Sequence, residues 1–200
     1  MKKVLFLSTA MLLLTAVFTA CKKGENDPFL SLRSRKARIS GEWNLDYAEY
    51  VRISQLDNVV SNYGISFYDQ TEVTTTSTIV SGVTLNHEIS SSPCTVKLTI
   101  EKDGTYTQVK TKNDEVTTTK GTWIFLKKNG ENDLKNKEAI LLTQSSMTDS
   151  SGTTTTEGIA GEVYTIDKLR NKEMVWKIHS ETKSGSSSEL VEGLFEFSQN

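Results

Sequence analysis

Cysteine, proline and histidine are scarce in this 200-residue chain, two of each, and every shortage excludes something. Two cysteines, Cys21 and Cys94, cannot build the disulfide framework that staples small secreted domains. The histidines, His87 and His179, have no cysteine or histidine neighbour at metal-ligand spacing, so no metal and no cofactor is implied. With only Pro28 and Pro93, nearly every backbone N–H can join a hydrogen-bond ladder. There is no Gly-x-Ser-x-Gly elbow, phosphate-cradling glycine loop or calcium-loop spacing, so no catalytic residue is assigned and an enzyme is not expected. A hydrolase survives only as a third reading, through a triad assembled by folding. Neither sign of charge dominates: 23 basic residues face 25 acidic ones, without a long basic stripe, which excludes nucleic acid as a partner. Cys94 lies in a strand-like run and reads as a small buried apolar residue, while His179 falls on a polar phase and reads as solvated.

Long apolar runs are equally rare. The one present, residues 4–18, follows Lys2 and Lys3 and is shorter than the roughly 20 residues a spanning helix needs. It ends in the small residues Thr19 and Ala20, then Cys21, and reads as a signal peptide over 1–20. Thr19-Ala20-Cys21 resembles the lipobox of bacterial lipoproteins, with Phe18 where leucine is usual. That resemblance implies acylation of Cys21 and a membrane partner reached through N-terminal acyl chains, each buried CH₂ contributing about 0.8 kcal/mol. Lys22, where an aspartate would retain an inner-membrane protein, implies the outer membrane, on its periplasmic face or at the cell surface. Residues 21–39 read as a lipid-anchored flexible tether. Its basic residues Arg33, Arg35, Lys36 and Arg38 are expected to be solvated, with anionic headgroups as the alternative contact.

From Gly41 the period becomes two. Trp43, Leu45 and Tyr47 alternate with polar residues, as do Val96, Leu98 and Ile100, then Met174, Trp176 and Ile178. One buried face and one wet face follow from that alternation, the signature of an antiparallel sheet. Turn residues punctuate the runs at Lys102-Asp103-Gly104, Asn113-Asp114, Ser151-Gly152, Arg170-Asn171 and Ser184-Gly185. Threonine clusters at 74–76, 117–119 and 153–156 suit the exposed face of β-ribbons. The pattern predicts roughly eight to ten strands, among them 66–80, 83–90 and 94–101. Consecutive, hairpin-linked strands leave open edges unless the sheet closes, so residues 40–200 are predicted to form an all-β, antiparallel up-and-down barrel. A two-sheet β-sandwich shares the signature and is the alternative.

Four motifs in order, Gly41-Glu42-Trp43, Leu98 through Tyr106, Gly121-Thr122-Trp123, and Tyr164 through Leu169 running into Met174-Val175-Trp176, resemble the lipocalin-like domains of Gram-negative lipoproteins. The resemblance implies that Trp43 is a structural plug at the closed end of the barrel. In that family a cation from the last strand often covers the plug, but here no arginine or lysine follows Lys183. The long polar stretch 57–80 also fits the family's spacing poorly. Tyr106, Trp123, Phe125, Trp176 and Phe195 fall on inward phases, either as walls for a ligand or as plain core. Two functions remain open: holding a small apolar or amphipathic ligand, or acting as a structural or adhesion-type surface protein that contacts a protein or glycan through its threonine-rich face.

Overall fold

A computed structural model describes residues 33–126, 138–156 and 161–199; the predicted signal peptide and Cys21 lie outside the described residues. The elements are α1 (Arg35–Ile39), β1 (Gly41–Leu56), β2 (Val59–Tyr68), β3 (Thr71–Val80), β4 (Val83–Ile100), β5 (Thr105–Lys112), β6 (Glu115–Phe125), β7 (Ala139–Thr148), β8 (Thr154–Thr155), β9 (Glu162–Leu169), β10 (Glu173–Ser184) and β11 (Ser187–Ser198). All pairings are antiparallel, in the order β6-β5-β4-β3-β2-β1-β11-β10-β9-β7, and the β6–β7 pair closes the ring. The protein is thus a closed ten-stranded barrel, with β8 a two-residue strand on the flank of β7. A sandwich is ruled out because a single continuous ladder runs round the whole circumference.

The barrel is not equally wide along its axis. Gly41–Asn44 of β1 pair directly with Lys97–Ile100 of β4, leaving eight strands at that level. Further along, β1 turns to β2 from Tyr47 onward, with a register shift between Leu45 and Tyr47. The β2–β3 hairpin is therefore a wedge driven between β1 and β4 from one end. Barrel diameter grows with strand number. The structure tapers from a ten-stranded mouth to an eight-stranded floor.

This wedge is the stretch 57–80, and it corrects the single strand predicted at 66–80. The β2–β3 turn is Asp69-Gln70, both with positive φ (48° and 57°), and β1 reaches β2 through Asp57 at φ 51°. None of these three is glycine, so the usual turn signal was missing. The two strands predicted at 83–90 and 94–101 are instead one, β4, running through Pro93. Proline is tolerated because β5 ends opposite Cys94: the Pro93 carbonyl accepts from Asn113 N in the β5–β6 turn, and no strand lies there to need a donor.

The floor holds the main core. Trp43, Ile39, Ile140, Leu169 and Met174 are fully buried and join Leu98, Ile100, Trp123, Ile166 and Trp176 in one cluster. Both tryptophans of the Gly-x-Trp pairs direct their indole N–H at a backbone carbonyl, Trp43 at Ile39 O (2.7 Å) and Trp123 at Glu101 O (2.9 Å). A buried indole needs such a partner. The Ile39 carbonyl lies at the end of α1, which corrects the expectation of a flexible, solvated tether reaching residue 39. Ser34 caps α1 by accepting from Ala37 N, Ile39 is fully buried, and Arg35 and Arg38 are also buried. Arg38 Nη1 donates to Leu169 O at 2.6 Å, and Lys36 Nζ stands 5.9 Å from the centre of the Trp123 ring. Cations do cover the floor, but they come from α1 rather than from β11.

Gly121 shows how tightly the barrel closes. A Cβ there would lie 2.1 Å from Thr143 O and 2.6 Å from Tyr106 Cε1, because the Tyr106 ring lies across its cross-strand partner. Gly121→Ala should cost about 1–3 kcal/mol by overpacking. Gly152→Ala, in open space at φ +81°, should cost only about 1 kcal/mol through backbone strain. Urea denaturation of the two variants checks the order.

Candidate functional site

Above the floor the widened barrel encloses a cavity of about 370 Å³. Ligand pockets run from roughly 300 to 1,000 Å³, so a small organic molecule fits. The cavity has two unlike walls. Leu45, Ala48, Ile65, Phe67, Phe195 and Phe197 supply an apolar wall from β1, β2 and β11. Gln108, Lys110, Thr119 and Gln144, beside Tyr106 and Leu142 on the same strands, supply a more polar wall from β5, β6 and β7. In the ring order these two groups of three strands are diametrically opposite. An apolar molecule with a hydrogen-bonding edge matches that division.

Aromatic rings gather at one side. Tyr164 meets Phe195 edge-on (5.8 Å between centroids, 79° between planes), and Tyr50 lies 6.5 Å from Phe195. Tyr164 Oη donates to Glu162 Oε2 at 2.5 Å. Burial pushes the phenol pKa up at Tyr50, Tyr106 and Tyr164, and the Glu162 carboxylate adds to the rise at each, with Arg52 opposing it at Tyr50. All three are neutral phenols at any physiological pH.

The residues selected from the sequence divide by height. Tyr106 is buried and lines the cavity, as does the partly buried Phe195. Trp123 belongs to the floor cluster, with Phe125 packed edge-on against it at 5.3 Å. Trp176 is buried between Tyr164 (5.4 Å) and Phe197 (5.1 Å). Trp43 is fully buried in the floor. His87 and His179 are exposed, the latter with Nδ1 3.2 Å from Glu192 Oε1. Among the described residues no cluster of His, Cys, Asp and Glu side chains has the makings of a metal site.

Sequence reasoning missed the charged cluster at the edge of the cavity. Glu72 on β3 is only 5% exposed, and two lysines on β5 bridge its carboxylate across β4: Lys110 Nζ to Oε2 (2.5 Å) and Lys112 Nζ to Oε1 (2.8 Å). Cys94, buried beside Ala48 and Phe67, has its Sγ 3.9 Å from Glu72 Oε2. Burial pushes this thiol's pKa up, so it stays protonated. A signal for the lysines was present: with Tyr106 inward, the period of two along β5 also turns Gln108, Lys110 and Lys112 inward.

Burial alone would raise the Glu72 pKa, but the hydrogen bonds and charges of the two lysines outweigh it and hold the pKa below the ordinary carboxylate value of 4.5. The same bond raises Lys112 above the ordinary lysine value. The bridge fastens the wedge hairpin to β5. No protein-family model and no curated protein matches the chain.

Because the Glu72 pKa is depressed on folding, its stabilisation is complete above about pH 4.5 and is lost as pH falls through the lower folded value. Glu72→Gln should therefore lower stability at pH 7 by about 1–3 kcal/mol, the cost of a weakened buried polar bridge. The gap between variant and wild type should narrow on acidification to pH 3. Melting temperatures measured from pH 3 to 8 test both statements.

Proposed function

We propose that this protein is a lipid-anchored binding protein of the lipocalin-like kind, which holds one small amphipathic molecule in the mouth half of its barrel. The observation carrying this reading is the two-walled cavity: apolar side chains on β1, β2 and β11 face amides, a hydroxyl and an ammonium on β5, β6 and β7. A barrel that only had to be stable would fill its upper half as it fills its floor. The glycine at position 193, directly opposite Tyr50 on β1, makes room for the neighbouring Ile178 and Phe195 side chains. A Cβ on Gly193 would crowd Ile178 Cγ2 at 2.9 Å and Phe195 Cε2 at 3.0 Å. Anchoring rests on the residues around Cys21 and places the cavity close to a membrane, where amphipathic molecules are concentrated.

Titration of the full chain with N-phenyl-1-naphthylamine should give saturable fluorescence enhancement at one site. Thr119→Trp, which projects an indole from the polar wall into the cavity, should weaken binding at least tenfold while leaving the far-ultraviolet spectrum unchanged. A wild-type chain that binds none of the apolar or amphipathic probes offered would overturn the ligand reading. Anchoring has its own measurement. Cells fed labelled palmitate should label the wild-type chain, and Cys21→Ser should abolish the label.

A further inference from the structure

Two carboxylates line the cavity, and the protein treats them differently. Glu72 is neutralised from within by Lys110 and Lys112. Glu162, at the start of β9, has no lysine, arginine or histidine partner among the described residues; Tyr164 Oη alone engages it. Its charge acts on Tyr50 of β1, Tyr106 of β5 and Tyr164 two residues along β9, and Phe195 of β11 packs on Tyr164 in the same cavity. The Tyr164 and Phe195 rings meet nearly at right angles and Tyr50 is tilted 48° to Phe195, so the rings form the corner of a box rather than a flat stack.

Aromatic faces carry negative electrostatic potential and attract cations, most strongly when several converge. A carboxylate among such rings adds a full negative charge at close range. Choline-like and methylated ammonium groups are recognised by this combination, because their diffuse charge is weakly hydrated and their methyl groups fill the space between rings.

We infer that the ligand is an amphipathic cation: its ammonium group sits among Tyr50, Tyr164 and Phe195 against Glu162, and its apolar body lies along the Phe67–Leu45 wall. This inference rests on the cavity's being the ligand site. Lys110, the one lysine or arginine lining the cavity among the described residues, does not compete for that position, since it is held to Glu72 on β3, across the ring from β9. Arg52 is paired with Glu189 at 3.3 Å and engages Tyr50 through its hydroxyl, which leaves the face of that ring to the ligand.

Three probes with one tail and different heads decide the matter: octyltrimethylammonium, octanol and octyl sulfate, titrated into the full chain by calorimetry below their micelle thresholds. Octyltrimethylammonium should bind at least tenfold tighter than octanol, and octyl sulfate should bind most weakly. Glu162→Gln, a change at an exposed position, should remove most of the preference for octyltrimethylammonium over octanol. Tyr50→Leu should reduce the preference as well. If all three probes bind equally, or octyl sulfate binds best, the cation inference is overturned while the ligand reading stands. Should none of them bind, the cavity is not a ligand site and both fall. A Glu162→Gln variant that loses all three probes alike would assign that residue a structural role and overturn the inference too.

Discussion

Four residue pairs decide the shape of this barrel. Where Gly41–Asn44 lie against Lys97–Ile100, β1 and β4 are direct neighbours and the ring has eight members; a few residues higher, two more strands stand between them. Eight strands leave an interior that side chains can fill, and ten leave space over. Floor and mouth thus obey different rules within one sheet. Trp43, on β1 of this seam, is where the difference is secured: its ring is fully buried and its N–H is tied to Ile39 O, so the seam cannot open without unpacking α1 and the floor together.

A wedge hairpin needs holding on both sides. Toward β1 it is joined by ten consecutive residue pairs from Tyr47–Tyr68 to Leu56–Val59. On the other side β4 continues past it, and the Glu72 bridge to Lys110 and Lys112 reaches over β4 to β5. Such bridges are weak sources of net stability, because desolvating the charges offsets much of the attraction. What this one supplies is register. A carboxylate buried among Phe67, Ala48 and Cys94 is acceptable only where both ammonium groups can reach it, and a one-residue slip of β3 would turn Glu72 to the outer face.

The sequence made some of this legible and hid the rest for identifiable reasons. Alternation from Trp43, Leu98 and Met174 revealed the strands, and the same periodicity turned Tyr106, Trp123, Trp176 and Phe195 inward, because one side of a closed sheet must be apolar. The wedge escaped because its turns at Asp57 and Asp69-Gln70 adopt positive φ without glycine, and because β3 is mostly threonine and serine. A half-wet, threonine-rich strand such as β3 has no strong apolar face to announce it. Helix α1 escaped for a different reason. Five residues cannot hold a helix by propensity, so its existence depends on the floor it covers, and Arg35 and Arg38 look solvated until that floor is known. Glu72 and its lysines are nearly 40 positions apart, a separation at which only topology creates a contact.

Separating a filled floor from an open mouth also explains how the chain tolerates a polar, partly hollow interior. Removing apolar mass from a core costs stability in proportion to the void it leaves. Here the void lies in the ten-stranded mouth, and Trp43, Trp123 and Trp176 concentrate the tight packing lower down. Residues in the mouth are freed from the demands of packing. Gln108, Thr119, Gln144 and Glu162 can then present polar atoms to the interior, whereas burial in the floor costs an unpaired polar atom its hydration. The taper created by the β2–β3 wedge is therefore what allows one small sheet to be both a stable closed barrel and a chamber with chemically distinct walls.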